Sequence, residues 1–227
     1  MKLLLDNKYA PLTFSWGFLE APFETVTHAV KVWKNKLHLQ FETKQVGGDL
    51  EHTLLQLEPL STPSQRTLWL KTQSTWTAFF NNSLIGADSA SPISYLSNLI
   101  KCRGVAVSCR PHIKAKGLFG SCKFQLFSPD QKNFLNYERS LAATNDGGKW
   151  VFVSTGTIQP YERPEQYNNN KIANRFNPEM LEEYCAALGI KLFDTNFYMG
   201  DGLLFSEGHD WPNVRTMALI EAQKKWT

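Results

Sequence analysis

Two pairs of alternating segments in the middle of the chain most constrain what it can fold into. Residues 136–144 and 149–158 flank Asn145-Asp146-Gly147-Gly148, a run whose residues accept the positive φ of a tight hairpin turn. Upstream, residues 104–110 place Val105, Val107 and Cys109 on one side. Residues 119–127 place Cys122, Phe124 and Leu126 together, and residues 111–117 form the loop between the two segments. Alternation at period two is the mark of a half-buried strand. Successive strands joined by short turns pair antiparallel.

Helical patterns flank this region. Residues 21–36 carry Pro22 in the first turn, an apolar face of Phe23, Val26, Val30 and Trp33, and Lys31 and Lys34 towards the end, as the helix dipole favours. From residue 37 to 82 the period shortens. Leu37, Leu39 and Phe41 alternate with polar neighbours, residues 53–57, 67–72 and 75–80 are short and apolar-rich, and Ser61-Thr62-Pro63-Ser64 reads as a turn. Ser91-Pro92 reads as a helix start, with Ile93, Leu96 and Ile100 as its buried stripe.

The last third turns helical again. Residues 165–176 read as one helix. Asn177-Pro178-Glu179 opens another that Gly189 stops, with Leu181, Tyr184, Cys185 and Leu188 on one face. Residues 203–205 read as a short strand, and residues 212–226 as a final helix with Val214, Met217 and Ile220 inward. The expectation is one α+β domain over residues 1–227: an antiparallel sheet of about six or more strands, helices near both ends and one helix inserted.

Charge and cysteine usage narrow the function classes. The 24 basic and 21 acidic residues leave a net charge of +3, a weak excess. Lys101, Arg103, Arg110, Lys114 and Lys116 are the nearest approach to the basic stripe of a nucleic-acid binder, and a solvated face is the plainer reading. Leu3-Leu4-Leu5 is too short for the core of a signal peptide, and no apolar run approaches a membrane span. The four cysteines make no CxxC pair, which suits free thiols in a reducing compartment. A cytoplasmic protein with neither nucleic acid nor membrane as partner is expected.

Candidate chemistry is sparse. A zinc site could draw on Cys102, Cys109, Cys122 and His112, but the spacing is irregular and the hairpin cysteines share a face with core residues, so packing is the better account. His209-Asp210 is the one local acid–base pair, and Asp210 reads better as a helix cap. Glu182-Glu183 lies on an amphipathic helix as a solvated face, and Gly117-Leu118-Phe119-Gly120 lacks the pattern of a phosphate loop. Neither a catalytic residue, a metal nor a cofactor is assigned.

Binding residues are sought among Trp, Tyr and Arg, which carry most interface energy. The strand 76–80 runs into Asn81, Asn82 and, past Gly86, Asp88. With Arg139 and Tyr167, the partner-binding set becomes Trp76, Asn81, Asn82, Asp88, Arg139 and Tyr167.

The runs WTAFFNNSLIGAD, SPISYLSNLIKCRGVAVS, NYERS, GGKWVF and NRFNPEMLEEYCAALGI resemble uncharacterised bacterial proteins of the polymorphic-toxin immunity type. The resemblance spans residues 76–190. It implies a protein-binding protein that neutralises a toxin domain by direct contact, and it carries no catalytic residues to transfer. The alternative is a hydrolase whose site follows no familiar pattern.

Overall fold

The computed structural model describes residues 3–130, 136–208 and 213–226. Its strands in chain order are β1 (Ser15–Leu19), β2 (Phe41–Val46), β3 (Leu60–Thr62), β4 (Arg66–Thr72), β5 (Thr77–Asn81), β6 (Gly104–Arg110), β7 (Ser121–Phe127), β8 (Tyr137–Asn145), β9 (Trp150–Gly156), β10 (Tyr198–Glu207) and β11 (Arg215–Met217). The α-helices are α1 (Phe23–Lys36), α2 (Leu50–Leu55), α3 (Ala90–Ile100), α4 (Pro178–Ala187) and α5 (Leu219–Trp226). Nine strands form one sheet in the order β2-β10-β4-β5-β1-β6-β7-β8-β9, and β3 pairs with β11 in a separate ribbon. Every neighbour in the large sheet is antiparallel. The fold is therefore α+β, with helices towards both ends of the chain and one between.

Two helices cover one side, here the outer face. Val26, Ala29 and Val30 of α1 and Ile93 and Leu96 of α3 pack onto Trp69, Phe79, Ala106 and Leu203. Trp33 of α1 stacks on Tyr95 of α3, with ring centroids 5.0 Å apart. Helix α3 can lie close because glycine stands beneath it: a Cβ on Gly17 would sit 2.5 Å from Ile93 Cγ1. The inner face is larger and almost wholly closed. Trp16, Phe18, Val105, Phe124 and Leu141 pack there against the N-terminal turn, α2, α4 and the start of α5. Trp16 Nε1 donates to the Tyr198 hydroxyl at 3.2 Å, and that hydroxyl donates to the Leu192 carbonyl at 2.9 Å.

The hairpins 104–127 and 136–158, helix α1 and the Asn177 start of α4 form as their patterns predict, and α3 forms with its predicted stripe but begins at Ala90, with Ser89 rather than Ser91 at its N-cap. Asn177 Oδ1 accepts the Met180 amide at 3.0 Å, and Gly189 closes the helix at φ 80°.

Other expectations are corrected. Residues 37–39 are no strand: the Leu37 amide still bonds to Trp33, His38 adopts φ 53°, and β2 begins at Phe41. Residues 53–57 belong largely to α2. Leu50, Leu54 and Leu57 fall at helical spacing and are buried, and Asp49 Oδ1 caps the His52 amide at 2.7 Å. Residues 165–176 form two short 3-10 turns, Pro164–Asn168 and Ile172–Asn174, interrupted by the Asn168–Asn170 run. Strand β10 has ten residues rather than three. Its glycines hid it, yet a Cβ on Gly202 would meet the Trp69 carbonyl oxygen at 2.4 Å. At the C-terminus the predicted helix 212–226 divides into β11 and α5, and Ile220 faces solvent while Leu219 and Ala222 turn inward. His209 and Asp210 lie outside the described residues. Among those described, no helix is long and apolar enough to cross a membrane.

Candidate binding surface

The pairing register lets one row of outer-face residues be followed from edge to edge. It reads Gln45, Leu203, Trp69, Phe79, Gly17, Ala106, Gln125, Ser140, Thr155. The stretch from Leu203 to Ala106 is buried beneath α1 and α3. From β7 onward the row turns polar and partly or fully exposed. The neighbouring rows open outward in the same direction without an apolar stretch: Ser15 and Ser108 are buried and lead to Lys123, Ala142 and Val153 in one, and Arg110, Ser121, Thr144 and Val151 form the other. The outer face of β7, β8 and β9 is thus an open platform. Val151 is 39 % and Val153 45 % exposed on it.

A cleft of about 410 Å³ opens where this platform meets the turn before α3. Arg110 and Lys123 line it from adjacent strands as diagonal neighbours, a placement that puts their backbones roughly 7–8 Å apart. Asp88 and Asp146 stand at its rim, and Phe119, 37 % exposed, forms one wall. Asp88 Oδ1 accepts the Ala90 amide at 2.9 Å, while Oδ2 lies 3.4 Å from Lys123 Nζ. Arg110 Nη2 donates to the carbonyls of Ile85, at 3.1 Å, and Gly86, and its guanidinium lies over the Phe14 ring. Burial pulls the Arg110 pKa down, and the Asp88 charge opposes that shift. The amides of Gly148 and Lys149 hold the Asp146 carboxyl below its ordinary range. The site therefore presents fixed charges of both signs beside exposed apolar side chains, a composition suited to a protein surface.

Of the six residues predicted to bind a partner, Asp88 lies here, exposed at the cleft rim. The other five are buried in the fold, where their functional groups are already engaged. Trp76 is 2 % exposed, and its Nε1 donates to the Leu188 carbonyl at 2.8 Å. Asn81 Oδ1 accepts the Ser83 amide at 2.9 Å. Asn82 Oδ1 accepts from the Ser64 hydroxyl and the Gln65 and Arg66 amides, and its Nδ2 donates to the Pro59 carbonyl at 2.7 Å. This side chain clamps the chain between β3 and β4.

Arg139 and Tyr167 belong to one buried network. Arg139 Nη2 lies 2.7 Å from Glu162 Oε2 in a pair whose side chains are 1 % and 0 % exposed. Arg139 Nη1 donates to the carbonyls of Thr155 and Gly156. Tyr167 donates to Glu162 Oε2 at 2.6 Å, and its oxygen lies 3.0 Å from that of Tyr184. Burial, then the Glu162 carboxylate and the Tyr184 hydroxyl, push the Tyr167 phenol well above its usual pKa. An ion pair this enclosed is strongly destabilised by loss of either member, so these residues hold the fold together.

Cys109 and Cys122 face each other across β6 and β7, as the hairpin predicted. They pack in the inner core with Cys185, and burial pushes the Cys122 and Cys185 thiols up. His112 Nδ1 accepts the Gly120 amide at 3.2 Å and its ring packs on Trp150. Among the described residues, no three His, Cys, Asp or Glu side chains come together as a metal site.

The platform was missed in the sequence because its residues come from three strands and two loops. The one usable signal was the alternate set Lys123, Gln125, Ser140, Ala142, Thr144, Val151 and Val153, less apolar than the opposite set on the same strands. Compared with protein-family models, with curated proteins and with solved structures, the chain matches none.

Proposed function

We propose that this is a protein-binding protein that docks its partner on the open outer face of β7, β8 and β9 and the cleft at its mouth. The observation that carries this reading is the change along the outer rows. Beneath α1 and α3 the row from Leu203 to Ala106 is buried and apolar; beyond β6 the outer face exposes Val151 and Val153, with Lys123 on β7, Arg110 at the end of β6 and Asp88 in the turn before α3 beside them. Exposed apolar side chains ringed by fixed charges give a partner both contact area and register. The narrower form is an immunity-type inhibitor that neutralises a bacterial toxin domain by direct contact in the cytoplasm. Its support is the resemblance carried by residues 76–190, and it requires a patch of about 800 Å² on each partner.

The test is affinity capture from the host's own lysate with the wild-type chain and with Lys123→Glu and Phe119→Ser, followed by mass spectrometry. One stoichiometric partner, retained by the wild type and lost from both variants, supports the reading. A secreted or toxin-like domain in that partner supports the narrower form. A partner retained equally by all three chains overturns this choice of surface. If nothing is retained, protein binding loses its support, and hydrolase substrates become the next screen.

A further inference from the structure

The sheet has two edges, and their sequences differ in kind. On β2 the exposed side chains include Glu42 and Lys44, and Lys44 Nζ donates to Gln56 Oε1 at 2.9 Å. Charges on an edge strand oppose pairing with another chain. On β9 the sequence is Trp-Val-Phe-Val-Ser-Thr-Gly, with neither a charge nor a proline. Among the described residues β9 pairs with β8 alone. Its far side therefore presents a row of backbone donors and acceptors. Arg139 takes up the carbonyls of Thr155 and Gly156, so the open run is Trp150 to Ser154.

We propose that β9 pairs antiparallel with β9 of a second copy of this chain about a two-fold axis, joining the two nine-stranded sheets into one. The edge chemistry demands a strand, since alternating amides and carbonyls are matched by another extended backbone. Charge and shape admit the second copy: an uncharged strand laid against itself places no like charges opposite each other in any register, whereas β2 does so in the registers centred on Glu42 or Lys44. Val151, Val153 and Thr155 are β-branched and stand on one face, and such residues pair favourably across strands. The contact is isologous and closes at two copies. It also brings the two open platforms edge to edge.

The test is sedimentation equilibrium of the full chain from low to high micromolar concentration, with hydrogen exchange read at β9. The wild type is expected to move from monomer to dimer mass as concentration rises, with β9 amides gaining protection in the dimer. Val153→Lys and, separately, Val151→Lys are expected to stay monomeric with unchanged circular dichroism and thermal midpoint; two positions guard against a folding defect at one. Gln45→Lys on the opposite edge is expected to leave the dimer intact. A wild type that is monomeric throughout overturns the proposal. So does a dimer that survives both β9 lysines, or one in which β9 exchanges as fast as in the monomer.

Discussion

Two rows of side chains cross the sheet one residue apart and meet different fates. The inner row runs Val46, Gly202, Leu70, Ala78, Phe18, Val105, Leu126, Arg139, Gly156. It is buried from β10 through to β8. The outer row is buried only as far as β6. The strands are the same, so strand propensity does not separate the two. What separates them is the layer above. Residues 159–197 sweep over the inner side of β7, β8 and β9, where Tyr184 contacts Phe124 of β7 and Tyr167 contacts Phe152 of β9. On the outer side α3 reaches β1, β6 and β7 but leaves β8 and β9 open. The inner cover also explains how a charged residue can continue an apolar row. Arg139 stands where β8 passes beneath residues 159–168, and Glu162 is delivered to it by that segment.

The largest effect should come from the end of the inner row. Glu162→Ala leaves Arg139 buried without its partner, and a loss of about 3–5 kcal/mol is expected, measured by urea denaturation. A loss below about 1 kcal/mol, typical of exposed pairs, would mean that the inner cover is open to water at β8. Trp69→Ala, beneath α1 on the covered part of the outer row, should cost a comparable amount of about 3–5 kcal/mol through the cavity it leaves.

Gly17→Ala tests the closeness of α3. The new methyl must displace Ile93, and a cost of about 1–3 kcal/mol is expected; a neutral outcome in thermal unfolding would show that the helix can ride up without penalty. Asn82→Ala strips an acceptor from two amides and a hydroxyl, with about 1–3 kcal/mol lost and faster hydrogen exchange at Gln65 and Arg66. Val153→Thr, on the open part of the outer face, should change stability by no more than about 0.5 kcal/mol. If it costs as much as Gly17→Ala, the platform is covered and the contrast between the rows fails.

Local patterns carried much of the fold. Alternation in residues 104–127 and 136–158 specified both hairpins and their antiparallel pairing, because a two-residue period and a short turn leave few other arrangements. Asn177-Pro178 and Gly189 bounded α4, since caps act through adjacent backbone groups. Strand β10 escaped because Gly200 and Gly202 depress strand propensity, while the reason for the glycine at 202 is the Trp69 carbonyl on β4. Of the six residues predicted to bind, only Asp88 is exposed. Trp76, Arg139 and Tyr167 have the composition of interface anchors, but the same aromatic and guanidinium groups serve a core when a hydrogen-bond partner is delivered from elsewhere in the chain.

The sequence by itself determined the α+β class, the central hairpins and the helices whose ends are marked by caps, because those depend on interactions within a few residues. Only the tertiary structure decided that the hairpins, β1 and β10 join one sheet, that Glu162 meets Arg139, and which half of the outer face stays open. Those outcomes rest on contacts between residues up to about 180 positions apart, such as Trp16 with Tyr198. Burial is conferred by whatever segment lands on a strand, and a strand's own alternation does not say which of its two faces will be left without one.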